Sequence, residues 1–178
     1  NNTSDVDSSA DKGTHSDFSA QQVGPDAVYD TLREADTATG ASNTSLINQE
    51  SFEDNWPPSM PSVWTATGRW NKERDRAYGG TYSADFDGPG SGDLATCDLD
   101  CSGSSIAVYV DFWYRDEGCE ATEFLLQYYD GAAWNTIADL GSTTSENQWL
   151  HYQEKVTDSR YFKSNFKIRW SGVDIDGG

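Results

Sequence analysis

The most regular stretch of the chain is IAVYVDFWYRD at 106–116, where Ile106, Val108, Val110, Phe112 and Tyr114 alternate with Ala107, Tyr109, Asp111, Trp113 and Arg115. Alternation at period two is the mark of a strand with one face on a core. The same period recurs in TYSADFDG (81–88), with Tyr82, Ala84 and Phe86 against Thr81, Ser83 and Asp85, and again in WLHYQEKV (149–156). NFKIRWSG (165–172) sets Phe166, Ile168 and Trp170 inward and Lys167 and Arg169 outward. In EFLLQYYDGAAWNTI (123–137), Asp130-Gly131 stands between two apolar runs, the composition of a β-hairpin. Leu46–Phe52 begins an earlier strand, which Trp56-Pro57-Pro58 ends because proline has no donor for a ladder. VWTATGRWN (63–71) reads as one further strand, with Trp64, Ala66 and Gly68 on one face and Thr65, Thr67 and Arg69 on the other. Gly79-Gly80 reads as a turn and GPGSG (88–92) as a loop.

Strands at roughly eight- to fifteen-residue spacing with turn signals between them predict an all-β, two-sheet antiparallel sandwich. The module spans 46–178. Before it, residues 1–22 are polar and Ser/Asp-rich, a composition that cannot bury enough surface to fold alone. Residues 23–45 form an N-terminal arm and linker. Within the arm, VGPDAVYDTLREAD is apolar-patterned around Val28, Tyr29, Thr31 and Leu32. A short helix capped by Asp26 competes there with a strand over 27–33, and the strand is favoured.

Seven Trp and nine Tyr supply large buried rings despite an apolar fraction of 35%. Thirty acids face twelve bases, a formal charge of −18 that sets the chain against nucleic-acid phosphates and anionic lipid surfaces. No run of eighteen apolar residues is present, so no membrane insertion is expected. The start lacks a signal-peptide apolar region and reads as a processed, extracellular end. Asn1, Asn2 and Asn43 each open an N-x-S/T sequon. Cys97, Cys101 and Cys119 are an odd number, which excludes full internal pairing and leaves connectivity open.

Catalytic motifs are absent. His15 lies in the polar tail and His151 on a strand, neither beside a nucleophile, and GPGSG lacks the Lys-Ser/Thr of a phosphate loop. Glu34-Ala35-Asp36 begins a run seen on sandwich glycosidases, but Thr39 stands where the last acid belongs. A glycoside hydrolase, needing two carboxylates about 5–10 Å apart, is thus the least favoured function. Calcium fits better, since hard cations take several oxygen ligands, and Glu53, Asp54, Asp75, Asp85, Asp87, Asp174 and Asp176 are candidates. Tyr109, Trp113 and Trp149 are candidates for stacking on sugar rings, the basis of a carbohydrate-binding alternative.

The order FEDNWPP, VWTATGRWN, DRAYGGTYSADFDG, DLDCSG, IAVYVDFWYRD and EFLLQYYDGAAWNTI resembles MAM-like and cleaved-adhesin domains of secreted cell-surface proteins over about residues 50–172. The resemblance implies a concanavalin-like jelly roll that binds cell-surface proteins or glycans. It further implies one structural cation, with Glu53 and Asp75 at the matching positions and Asp176 completing the site. Members of that family close on a last strand for which the terminal VDIDGG has no counterpart. A sandwich short of one strand exposes unpaired backbone groups, and a spare strand in the arm is the natural partner. Filling a neighbour's groove head-to-tail would build a filament of copies of this chain. The leading expectation is therefore an extracellular structural or adhesive subunit that donates its arm.

Overall fold

The computed structural model describes residues 18–19, 50–104, 107–143, 145 and 147–175. Among them the strands are β1 (Phe18–Ser19), β2 (Thr65–Ala66), β3 (Trp70–Glu73), β4 (Ser83–Phe86), β5 (Gly88–Ala95), β6 (Val108–Arg115), β7 (Phe124–Tyr129), β8 (Trp134–Asp139), β9 (Trp149–Val156) and β10 (Lys167–Ile175). All pairings are antiparallel. One layer is a five-stranded sheet in the order β2-β5-β10-β7-β8. The other carries β6 between β1 and β9, and beside it the β3–β4 hairpin. Both parts of this second layer pack on the same face of β10. Phe112 of β6 stands edge-on to Trp170 at 5.2 Å, and the Phe86 ring of β4 lies where a Cβ on Gly172 would come within 2.8 Å of it.

The core is built from the alternation. Val108, Val110 and Phe112 on β6, Phe124, Leu126 and Tyr128 on β7, and Phe166, Ile168 and Trp170 at β10 are all buried. Trp64 stacks on Trp170 at 6.3 Å and 8°, tying the segment before β2 to the central strand. The buried Tyr128 hydroxyl donates to Glu154 Oε2 at 2.7 Å, and Tyr152 donates to the same oxygen at 2.6 Å. Such a shared acceptor is what a phenol needs when it leaves water.

The Asp130-Gly131 hairpin forms as expected. It is a four-residue turn, in which Asp130 Oδ1 accepts the amides of Ala132 and Ala133 and Gly131 takes φ +95°. Three expectations need correction. The segment 63–71 is two strands in different layers, because Gly68 adopts φ +65° and turns the chain from the five-stranded sheet into the hairpin. There the backbones cross closely: a Cβ on Gly68 would meet Ser91 O at 2.2 Å, and one on Gly92 would meet Thr67 O at 2.3 Å. GPGSG is not a loop but the first part of β5, where Gly92 pairs with Gly172 and Ser91 with Val173, and a register shift follows between Val173 and Ile175. Phe52 is not in a strand; its φ is +60°, and its buried ring packs against Trp56 and Trp64. Residues 46–49 of that expected strand, and the arm strand at 27–33, lie outside the described residues.

Candidate functional site

A cavity of about 120 Å³ separates β4 from β6. Ser83, Ala84, Asp85 and Phe86 line it from one side, and Phe112, Trp113, Tyr114 and Arg115 from the other. A cavity beneath a sheet is lined by every second residue of a strand, because side chains alternate faces. Consecutive residues on both strands mean that this one runs between strand edges. Its apolar wall includes Trp70, Leu94, Phe124 and Trp170. It is partly open to the surface, a cleft rather than an enclosed void.

Charged side chains gather at the rim. Arg76 Nη2 donates to Glu117 Oε1 at 3.1 Å, and Arg76 Nε lies 3.0 Å from Glu117 Oε2. Arg115 Nη2 is 3.1 Å from the same Oε2 and donates to Asn147 Oδ1 at 3.0 Å. Glu117 Oε2 is thus close to two guanidinium groups without an aligned hydrogen bond to either. Three consecutive residues carry buried polar atoms without a hydrogen-bond partner among the described residues: Arg115 Nε, Asp116 Oδ2 and Glu117 Oε2. Asp116 is fully buried, and its Oδ1 accepts the Cys119 amide at 3.0 Å. On the β4 side, burial and then the charge of Asp87 push the Asp85 carboxyl above its ordinary range, against the pull of Arg76. Burial, reinforced by Asp116, pushes the cavity-lining Cys119 thiol up to about 12.

Over the outward face of β6 lies an aromatic stack. Tyr78 sits on Trp113 at 4.0 Å and 10°, and His151 sits on Trp113 at 4.3 Å and 3°. Two near-parallel rings that close to one centroid would collide on a single face, so they cover opposite faces of the indole. Cross-strand pairing puts His151 directly opposite Trp113. His151 Nε2 is 2.8 Å from Asp111 Oδ1, whose partner oxygen accepts from Gln153 at 3.1 Å. Trp149 meets Tyr78 edge-on at 5.7 Å.

No family model, curated protein or solved structure matches this chain.

Of the aromatic candidates, Trp113 and Trp149 both line the cavity, whereas Tyr109 is buried farther along β6 with the Lys155 ammonium 5.4 Å from its ring centroid. Neither face of Trp113 is open to a sugar while Tyr78 and His151 hold their places. The cation implied at Glu53 meets a different arrangement. Glu53 Oε1 accepts the amides of Thr81 and Tyr82 at 2.6 and 2.8 Å, and the Lys72 ammonium occupies the carbonyls of Glu53 and Asp54 at 2.9 and 2.8 Å. Among the described residues no group of three or more His, Cys, Asp or Glu could hold a metal ion, and Asp176 lies outside them. So do Val28, Tyr29, Thr31 and Leu32, the sequon residues Asn1, Asn2 and Asn43, and His15. No described helix is long and apolar enough to cross a membrane.

Sequence reasoning missed Arg76 and Tyr78, because a turn at Gly79-Gly80 does not reveal what it faces. It also missed the pairing of His151 with Asp111, which depends on the β6–β9 register. The alternation of both strands was visible, but nothing in a single sequence aligns strands separated by two others.

Proposed function

We propose that this chain is an extracellular structural or adhesive subunit that assembles by strand addition, the N-terminal arm of one copy pairing with β6 of the next. The observation that carries the reading is the antiparallel pairing of Phe18 with Phe112 and of Ser19 with Asp111. The N-terminal region thus pairs with β6 through the segment expected to be a polar tail, whereas the expected donor strand at 27–33 lies outside the described residues. Residues 20–49 separate Ser19 from Glu50, thirty residues in all. Fully extended at ~3.3–3.6 Å per residue they span about 100 Å, enough to reach a neighbour's β6 as well as the chain's own. Exchange of an identical element between copies is a low-cost route to assembly, and head-to-tail exchange that does not close makes a filament. The resemblance to MAM-like domains and the acidic, Ser/Thr-rich composition support the extracellular setting.

Ser19→Pro tests this, since proline removes a ladder donor. Sedimentation velocity and negative-stain microscopy of the full chain are expected to show fibres or oligomers in the parent and their loss in the variant. A parent that stays monomeric across concentrations, or a variant that assembles equally, overturns the reading.

One feature favours a carbohydrate-binding role as the second reading. On the outward face of the five-stranded sheet, Tyr129 and Trp134 lie 5.3 Å apart. Beside them runs a polar row in which Arg169 donates to Asp93 and Gln127, and Gln127 to Thr136. Binding on a glycan array that Trp134→Ala abolishes would support it, and an array without hits would reject it.

A further inference from the structure

We propose that the cleft between β4 and β6 binds a small organic cation, an ammonium group carried on one apolar ring. The site stands whether or not copies of the chain assemble.

The cleft has two ends of different chemistry. Side chains alternate along β4, so Asp85 lies on the opposite face of that strand from Ala84 and Phe86, yet all three line the cleft. The apolar end is walled by the rings of Trp70, Phe86, Tyr114 and Phe124. At about 120 Å³ the cleft is slightly smaller than the ~150 Å³ cavity that holds a benzene ring in another protein. One ring therefore fills it, with the polar group of the ligand towards Asp85.

The charge at that end selects a cation. Among the described residues no group donates a hydrogen bond to the Asp85 carboxylate, and none pairs with it as an ion. Asp87, Glu73 and Glu117 add negative charge around it, against the single guanidinium of Arg76. That guanidinium is already held by Glu117. Arg115 is likewise taken up by Glu117 and Asn147. A half-buried carboxylate amid surplus negative charge is unfavourable until a cation answers it. A primary ammonium brings both the charge and three donors, and aromatic walls favour it further. An anion would be repelled by Asp85 and Glu117, and a neutral ring leaves Asp85 unpartnered. The chain's charge of −18 draws cations towards the protein as a whole.

Benzylammonium titrated into the full chain near pH 7, in about 0.15 M NaCl, tests the site. Saturable shifts are expected at the amides of Ser83–Phe86 and Phe112–Arg115 in nitrogen–proton correlation spectra. Benzyl alcohol has the same shape without the charge and is expected to bind about tenfold more weakly, the loss of one charge-assisted hydrogen bond. Asp85→Asn is expected to weaken benzylammonium to the level of the alcohol. Asp98→Asn removes an acid paired with Lys167, at the end of β10 away from the cleft-lining Ile175, and is expected to leave binding unchanged. Equal losses in the two variants would assign binding to net charge and overturn the site. So would shifts confined to other residues, or a titration that does not saturate. Should Asp85→Asn not fold, the parent decides alone: equal affinities for benzylammonium and benzyl alcohol overturn the proposal, and a preference for the cation at these amides upholds it.

Discussion

Tyr78 lies flat on Trp113, ring centroids 4.0 Å apart and planes 10° from parallel. The contact joins the turn between β3 and β4 to the outward face of β6, two elements with no hydrogen-bonded ladder between them. Offset aromatic pairs contribute about 0.5–1.5 kcal/mol beyond the area they bury. Tyr78→Ala is therefore expected to lower the urea midpoint by a cost of that order plus lost burial. It should also shift tryptophan emission to the red as one face of Trp113 meets water. An unchanged midpoint and spectrum would show that the turn holds its place without the ring.

Asp85 makes stability depend on pH in a direction opposite to most surface carboxylates. Its folded-state pKa lies above the ordinary 3.8, chiefly through burial. Between the two values the native state binds the proton more readily than the unfolded chain, so stability rises as pH falls through that window and is lost again as pH rises. Glu50, also raised by burial, acts with the same sign. Asp85→Asn removes the charge and is expected to raise the urea midpoint at pH 7, with the gain shrinking towards pH 4. A constant gain across that range would assign the effect to something other than ionisation.

At Gly172 the two layers touch closely. A Cβ there would stand 2.8–3.0 Å from three carbons of the Phe86 ring. Trp70 meets the Phe86 ring edge-on at 5.6 Å and resists its retreat on that side. Overpacking of this kind costs about 1–3 kcal/mol. Gly172→Ala should lose stability in that range, and Phe86→Leu in the same background should restore part of it by relieving the contact. Additive losses would contradict direct contact between the two positions.

How much of this was legible depended on whether the signal was local. The β6, β7–β8, β9 and β10 strands follow from alternation and the Asp130-Gly131 turn, because those signals sit within one element. The glycine-rich start of β5 was not legible, because backbone pairing with β10 rather than side-chain pattern makes it a strand. Gly68 likewise hid the break in 63–71, since a glycine is compatible with both an extended and a left-handed backbone. For the site, Trp113 and Trp149 were singled out as sugar-stacking rings; they line the cavity, but Tyr78 and His151 cover Trp113. Arg76, Tyr78, Asp111 and Glu117 were not found, because their roles exist only once distant segments meet. The arm was expected to pair, but the pairing described is at Phe18–Ser19, in a stretch whose polarity argued against a strand.

None of the three cysteines is bonded to another in the structure. Burial raises all three, and pushes Cys101 and Cys119 up to about 12. The thiolate is the reacting species, so these groups are poor nucleophiles in the folded chain. Ellman's reagent at pH 8 is expected to react slowly with the native protein and to titrate every cysteine once urea unfolds it. A shortfall of two thiols in urea would reveal a disulfide instead.

The charge of −18 bears on the whole fold rather than on one site. Ion pairs such as Arg169–Asp93 and Lys167–Asp98 answer only part of it, and net charge this far from zero repels itself in the compact state. Raising NaCl from about 0.1 M to about 1 M shortens the screening length from ~10 Å to ~3 Å. The thermal midpoint is therefore expected to climb with NaCl, where a protein held mainly by surface ion pairs would lose stability. Calcium at matched ionic strength separates screening from binding. A further rise in calcium that Asp75→Asn abolishes is the signature of the cation implied at Glu53, Asp75 and Asp176. Equal rises in the two salts assign the whole effect to screening, and leave the Lys72 ammonium as the positive charge that the Glu53 turn requires.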